Sequence, residues 1–572
     1  MPPSAALAVL AATAMAPVLP VAPAATPEVQ VSVLERQNSR FAPVEITANV
    51  DRLPPNERRA LALMLQAAQV TDALFLRQIW AGNEPMLLQL LSEPDSALRR
   101  ARLHAFLLGK GPWSPLDQGP KGPVAFIPGV PPKPPAANFY PAGATKAEVE
   151  KWIASLPAAQ RAKAAGFFTT IRRGPEGKLV AVPYSIEYQG ELARMAELLR
   201  EAASLTSQPT LKAFLEKRAA AFLSNDYHDS DVAWMKLDAS IEPTVGPYEV
   251  YEDEWFNYKA AFEAFIALRD DAETAKLTRF GSELQDIENH LPIEPRYRNP
   301  KLGAMAPIRV VNSIFSAGDG NRGVQTAGYD LPNDERITAE LGTKRVMLKN
   351  IQEAKFQKVL VPISGVALSK LDQDRVDFDA FFTHTLMHEL MHGLGPHNIA
   401  VGRQRTTARQ SLQEAYGTIE EAKADIAGLF AMQYLVDKGV LDKKYEDTMY
   451  VTFLASAFRA IRFGLGEAHG RGTAIQLNWI LDHGGFRADP DGTFSVDPAK
   501  IKEAVKGLTT EFLTLEAQGD RKKAQEMIGT LAVIRPQVKT VLDRLSTVPV
   551  DIEPRYVTAE KLMDEAAAST AP

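Results

Sequence analysis

The sequence contains no cysteine, which excludes disulfide cross-links, thiolate metal sites and thiol nucleophiles. That absence does not identify a redox compartment. There is no surplus of basic charge either: 64 Lys and Arg stand against 70 Asp and Glu, for a net charge of −6. A nucleic-acid footprint or a polybasic membrane patch would need the opposite balance, so neither partner is expected. Long apolar runs are missing as well. The nearest approach is residues 1–25, MPPSAALAVLAATAMAPVLPVAPAA, which proline interrupts and which are too short to span a bilayer. This stretch instead resembles a secretory signal segment, with Ala22-Pro23-Ala24 as an A-x-A-like cleavage site. No Lys or Arg precedes Arg36, consistent with a start further upstream. Export to the periplasm or the medium is expected, with a cytoplasmic location if the segment is not a signal.

Histidine is also sparse, nine in all, yet four lie in one stretch, Phe381 to His397, FFTHTLMHELMHGLGPH. At its centre His388-Glu389-Leu390-Met391-His392 is an H-E-x-x-H pattern in an apolar, helix-competent run. Residues i and i+4 of a helix share a face, so both imidazoles can bind one metal ion. Glu389, beside the first imidazole, is placed to take a proton from a water activated by that ion. Zinc suits the set, because two neutral imidazoles and one carboxylate leave a fourth position open. The alternative is a chance match whose histidines merely pack or cap. His384 extends the same stripe by one turn, but only the 388/392 pair has a Glu in the base position.

The third ligand decides the class. In the metzincin pattern H-E-x-x-H-x-x-G-x-x-H the glycine would be Gly395, but Asn398 occupies the ligand position and His397 comes one residue early. A better candidate is Thr418-Ile419-Glu420-Glu421-Ala422-Lys423-Ala424-Asp425, in a helical segment expected from Arg409 to Lys438 and ended by Gly439. Glu421 and Asp425 share a face at i, i+4, so one can bind metal while the other orients a ligand histidine. Taken alone, such a run is more often a solvated helix face; its closeness to H-E-x-x-H reverses that preference.

With these two motifs the chain resembles the dipeptidyl peptidase III family, whose second motif reads E-E-C-R-A-E/D. The resemblance implies one Zn2+ per chain, held by His388, His392 and Glu421, with Glu389 as general base and with Glu420 and Asp425 supporting the ligands. The family's commonest first motif has one more residue, H-E-x-x-G-H; the five-residue spacing here needs no distortion of the helix. Earlier in the chain, Gly246-Pro247-Tyr248-Glu249-Val250-Tyr251 is similar to the family's G-P-x-x-E-x-Y, one residue shorter. By that resemblance Glu249 anchors the substrate amino terminus and Tyr251 stabilises the oxyanion. Tyr329-Asp330-Leu331-Pro332-Asn333-Asp334 looks like the family's N-I-P-N turn, which contacts the substrate backbone; only Asn333 is carried over, since Asp330 replaces an asparagine. His469, in Gly466-Glu467-Ala468-His469-Gly470-Arg471-Gly472, matches a histidine that donates to the tetrahedral intermediate. The family's arginine four residues further on is Thr473 here, with Arg471 as the possible substitute.

The composition, 45% hydrophobic and 23% charged over 572 residues, is that of a globular chain able to bury more than one core. Periodicity predicts helices over 54–108, 146–168, 190–223, 257–269 and 445–463, and two more over 499–546. It predicts strands over 178–188, 308–315 and 358–368, with a Pro- and Gly-rich loop over 109–145. The reading is a helix-rich α+β chain. The resemblance adds two lobes around a wide cleft, a helical zinc-binding lobe and a mixed lobe with a β-barrel. The expected division is a mixed lobe at 26–270, a helical lobe at 271–545 with 347–368 returning to the mixed lobe, and a tail at 546–572. The function implied is release of dipeptides from the amino termini of short peptides. The alternatives are a zinc endopeptidase or other zinc hydrolase, thermolysin-like or metzincin-like, and a silent secreted binding protein on a peptidase scaffold. Oligomeric state is not legible.

Overall fold

The computed structural model describes residues 27–570, apart from residue 121 and residues 303–306. The expected signal segment lies outside the described residues. Among those described, no helix is long and apolar enough to cross a membrane.

Helices dominate the chain. Helices α1 (Pro55–Ile79), α2 (Gln189–Leu205) and α3 (Pro209–Ser224) carry apolar residues at helical spacing, and α1 buries Ala60, Leu61, Met64, Leu65, Ala67 and Ala68. They pack with a five-stranded sheet made of β1 (Ile241–Glu249), β2 (Ala261–Arg269), β3 (Ile308–Gly318), β4 (Gly328–Leu331) and β5 (Lys344–Leu348). Its order is β1-β2-β3-β5-β4, antiparallel except for the parallel β3–β5 pair.

The sheet is open, which corrects the expected β-barrel. A barrel closes only when its first and last strands pair. Here β4 has four residues and pairs with β5, and β1 pairs with β2, so the two ends do not meet.

Strand β2 replaces the helix expected over 257–269. Its run AFEAFIALR is buried everywhere but the final arginine, so both faces are covered. A fully buried strand loses the polar/apolar alternation and cannot be distinguished from a buried helix by period. The opposite error occurs at 358–368. Val359, Val361 and Ile363 suggest a strand, but the segment is a π-helical turn, Phe356–Leu360, running into the helix Val361–Ala367. Packing in a helical core overrides the β-branched preference there.

A second apolar core is built from helices α4 (Asp271–His290), α5 (Phe378–Met391), α6 (Tyr416–Asp437), α7 (Lys444–Ile461), α8 (Ala468–Asp482) and α9 (Ile501–Gln518). Together the two cores make two lobes. The chain crosses between them several times; one crossing lies between Ala354 and Phe356, where Lys355 is buried against Asp551 at 3.0 Å. The expected tail is structured. Asp551–Tyr556 pairs in parallel with Phe41–Ile46, and Ile552 and Tyr556 enter the first core. The expected boundary at 270 falls between β2 and β3. We propose a division by core instead, with β3, β4, β5 and the C-terminal strand in the mixed lobe.

Candidate metal centre and substrate cavity

Helix α5 starts at Asp377, whose side chain accepts a hydrogen bond from Ala380 N at 2.9 Å. It carries His388 and Glu389, and His392 follows as its C-cap with helical dihedrals (φ −59°, ψ −26°). The two imidazoles therefore keep the i, i+4 relation. Helix α6 crosses close behind them. At Gly428 a Cβ would sit 3.2 Å from His388 N and 3.4 Å from Met387 Cβ, so only glycine permits this approach without displacement. The crossing brings Glu420, Glu421 and Asp425 to the histidines. The helix predicted from Arg409 is interrupted at Gln413 (φ 52°) and begins again at Tyr416; Gly439 (φ 75°) follows its end as expected.

His388 Nδ1 lies 2.7 Å from Asp425 Oδ1, and His392 Nδ1 lies 2.8 Å from Glu420 Oε1. With both Nδ1 atoms engaged, both Nε2 atoms turn inward and approach to 3.2 Å. Glu421 Oε2 joins them, 3.3 Å from His388 Nε2 and 3.6 Å from His392 Nε2, and this buried oxygen has no hydrogen-bond partner. One ligand atom from each of the three residues lies within 4.8 Å of the others. Two imidazole nitrogens and an orphaned carboxylate oxygen fit a zinc ion by donor type. The outer contacts fit as well, since a carboxylate on the far ring nitrogen fixes the tautomer and orientation of a metal-binding histidine.

The charges agree with that fit. Burial disfavours an imidazolium at His388, but Asp425 and Glu421 outweigh it and hold the pKa up to about 10 in the metal-free site. Burial would raise Asp425, yet the His388 charge and hydrogen bond bring it down to about 2. Glu420 is likewise buried, but Lys423 and His392 hold it well below the usual carboxylate range. Lys423 lies 2.9 Å from Glu420 Oε1 and donates to Met391 O and Leu394 O, fastening α6 to the end of the motif. A cation in the centre would take the place of the proton that these carboxylates hold on the His388 imidazole. Replacing Asp425 by alanine is expected to weaken zinc binding roughly 10–100-fold, measured by chelator competition. An unchanged affinity would mean that Asp425 does not orient His388.

Other predicted residues take these places. His469 stands in the first turn of α8 with Nδ1 3.5 Å from Glu421 Oε2, its ring 6.0 Å from that of His388. His384 is turned away from the cluster, Nε2 to Asp425 O at 2.8 Å. His397 is not in the ligand group. Arg471, near the start of α8, is engaged elsewhere, donating to Thr418 Oγ1 on α6 and to Gly466 O at 2.9 Å each. Glu389 Oε2 lies 2.8 Å from Arg345 Nη1.

Glu249, Tyr251 and Asn333 line one cavity of about 620 Å³. Asn333 Nδ2 donates to Tyr248 O at 2.8 Å, fastening the turn after β4 to the end of β1. The sequence reading missed two further carboxyls here, Glu263 and Asp319. Glu263 is buried in mid-β2 with Oε1 unpartnered, and burial pushes its pKa far up, helped by the Glu249 charge. Burial, then the Glu252 charge, pushes Asp319 up to about 7. A signal for Glu263 existed, a lone acid in the apolar run AFEAFIAL; Asp319 had none.

An H-E-x-x-H helix crossed by a carboxylate-bearing helix, in a two-lobed α+β chain, defines a metallopeptidase. Residues 145–397 match Peptidase family M49. The dipeptidyl-peptidase III from Corallococcus sp. strain EGB is 64% identical with a TM-score of 0.76, over 94% of this chain and 99% of that one. The dipeptidyl-peptidase III from Caldithrix abyssi is 43% identical with a TM-score of 0.87, over 92% of this chain and 100% of its own. The Arabidopsis thaliana protein Nudix hydrolase 3 is 42% identical over 93% of this chain and 75% of its own length. Human dipeptidyl peptidase 3 is 24% identical over 49% of this chain and 44% of its own. The chain belongs to peptidase family M49, the dipeptidyl-peptidase III family, and is a dipeptidyl peptidase.

Proposed function

We propose that this peptidase is zinc-dependent, with His388, His392 and Glu421 as ligands, and that it releases dipeptides from the amino termini of short peptides. The observation that carries the metal is the convergence of two inward-facing Nε2 atoms on the buried, unpartnered Glu421 Oε2. Bound zinc would supply acidification of a water and polarisation of the scissile carbonyl. Glu389 accepts the proton of the attacking water and returns it to the leaving amine. His469 and Tyr251 donate to the oxygen that gains charge as the carbonyl carbon becomes tetrahedral. Asn333 holds the turn over which the peptide backbone lies.

Cutting after two residues requires that the amino terminus be held at a fixed distance from the reacting centre. The cavity lined by Glu249 suits that task by its charge. Glu252 is already neutralised by Lys133 at 2.8 Å and by Arg322. Glu249, Glu263 and Asp319 make no ion pair among the described residues, so the cavity is short of positive charge. An α-ammonium group supplies it. Replacing Glu249 by glutamine removes a charge-assisted hydrogen bond worth about 1.5–3 kcal/mol. It is therefore expected to lower kcat/KM on peptides with a free amino terminus roughly ten- to hundredfold. Steady-state kinetics on a dipeptidyl-naphthylamide decides this; an unchanged kcat/KM would remove Glu249 from the anchor role.

A further inference from the structure

The metal centre and the substrate cavity belong to different lobes, yet one side chain reaches both. Arg345 stands on β5 directly opposite Asp330 on β4. Its Nη2 lies 3.4 Å from Asp330 Oδ2; its Nη1 lies 2.8 Å from Glu389 Oε2 and donates to Glu389 O at 3.3 Å. Asp330 lines the same cavity as Glu249 and Asn333. The neighbouring Lys344 points the other way, buried 2.6 Å from Glu242 and over the ring of Trp234. Strand alternation thus assigns Arg345 to the side where the two lobes face each other.

We propose that Arg345 is a positioning residue that sets the Glu389 carboxylate and couples its orientation to the peptide-lining strand through Asp330. The inference rests on Glu389 being the general base. A glutamate at a helix surface samples several rotamers, whereas a base must be held to within about 0.5 Å of its productive geometry. A guanidinium fork can grip two carboxylates at once in a fixed plane, which an ammonium cannot. The grip on both the carboxylate and the backbone carbonyl of Glu389 restrains that side chain relative to its own helix. The grip on Asp330 relates it to β4.

The test uses the full, zinc-loaded chain and a dipeptidyl-naphthylamide, with Arg345→Met, Arg345→Lys, Arg345→Ala and Asp330→Asn, and with Glu389→Gln as reference. Arg345→Met is expected to lower kcat roughly ten- to hundredfold, with KM changed by less than about twofold and zinc content at the wild-type value. Arg345→Lys should fall between the two. Free guanidinium ion should restore part of the kcat lost in Arg345→Ala, which it would not do for a residue that merely supports the fold. Asp330→Asn should cost less, and the Arg345→Met/Asp330→Asn double variant should be no worse than Arg345→Met alone. The proposal is overturned by a kcat that is unchanged or raised in Arg345→Met. It is overturned equally by a loss confined to KM, by loss of zinc, or by additive losses in the double variant. Should Glu389→Gln itself turn over normally, it is the base assignment that fails. Should Glu389→Gln be inactive while Arg345→Met is normal, the base assignment stands and the positioning role of Arg345 fails.

Discussion

Glu389→Gln is expected to abolish turnover while leaving zinc bound. The substitution preserves size and shape but replaces the proton acceptor with an amide, and general-base catalysis of this kind contributes about 10²–10⁴ in rate. Glu389 is not in the group of ligand atoms, so metal content should stay at the wild-type value. Its carboxylate faces Arg345 rather than either histidine, and removing its charge leaves the Asp425 and Glu420 contacts to His388 and His392 intact. Metal analysis alongside single-turnover kinetics separates the two effects. A variant that keeps most of its kcat would show that another group takes the proton.

The next largest effect is expected at Glu421. Replacing it with alanine removes a ligand rather than a ligand's support, so zinc affinity should fall by more than the roughly 10–100-fold expected for Asp425→Ala. Activity should fall with occupancy. His384→Ala and His397→Ala, in contrast, should leave zinc content almost unchanged. The first of these rings is spent on a backbone carbonyl, and the second lies outside the cluster. Zinc analysis of the four purified proteins distinguishes the glutamate-ligated centre from a metzincin-like one. Loss of zinc from His397→Ala with retention in Glu421→Ala would reverse the assignment.

The His388, His392 and Glu421 group that could hold a metal was in large part legible in the sequence because its geometry is local. The positions 388 and 392, 421 and 425, share faces by helical period alone, and Gly439 marked the end of α6. What no local pattern could show is the crossing of α5 and α6 at Gly428, which turns two motifs into one site. The mixed lobe was read less well for the same reason. Strand β2 is buried on both faces, so its composition imitates a helix, and the Glu263 carboxyl it carries was hidden with it. Arg345 has no sequence signature; its role depends on β5 lying beside β4 and facing α5. The barrel expected from the family resemblance is instead an open sheet, because the four-residue β4 pairs only with β5 and makes no ladder with β1.

The proposed metal centre and amino-terminal anchor together imply metal-dependent removal of two residues at a time from a free amino terminus. The direct measurement is mass spectrometry of the products from one hexapeptide, supplied with a free or an acetylated amino terminus, using chelated enzyme with and without added zinc. The predicted result is successive loss of dipeptides from the free peptide only when zinc is restored, with the acetylated peptide cut roughly ten- to hundredfold more slowly because it lacks the charge that Glu249 receives. Equal cleavage of the acetylated peptide, products cut at internal bonds, or full activity in the chelated enzyme would contradict it.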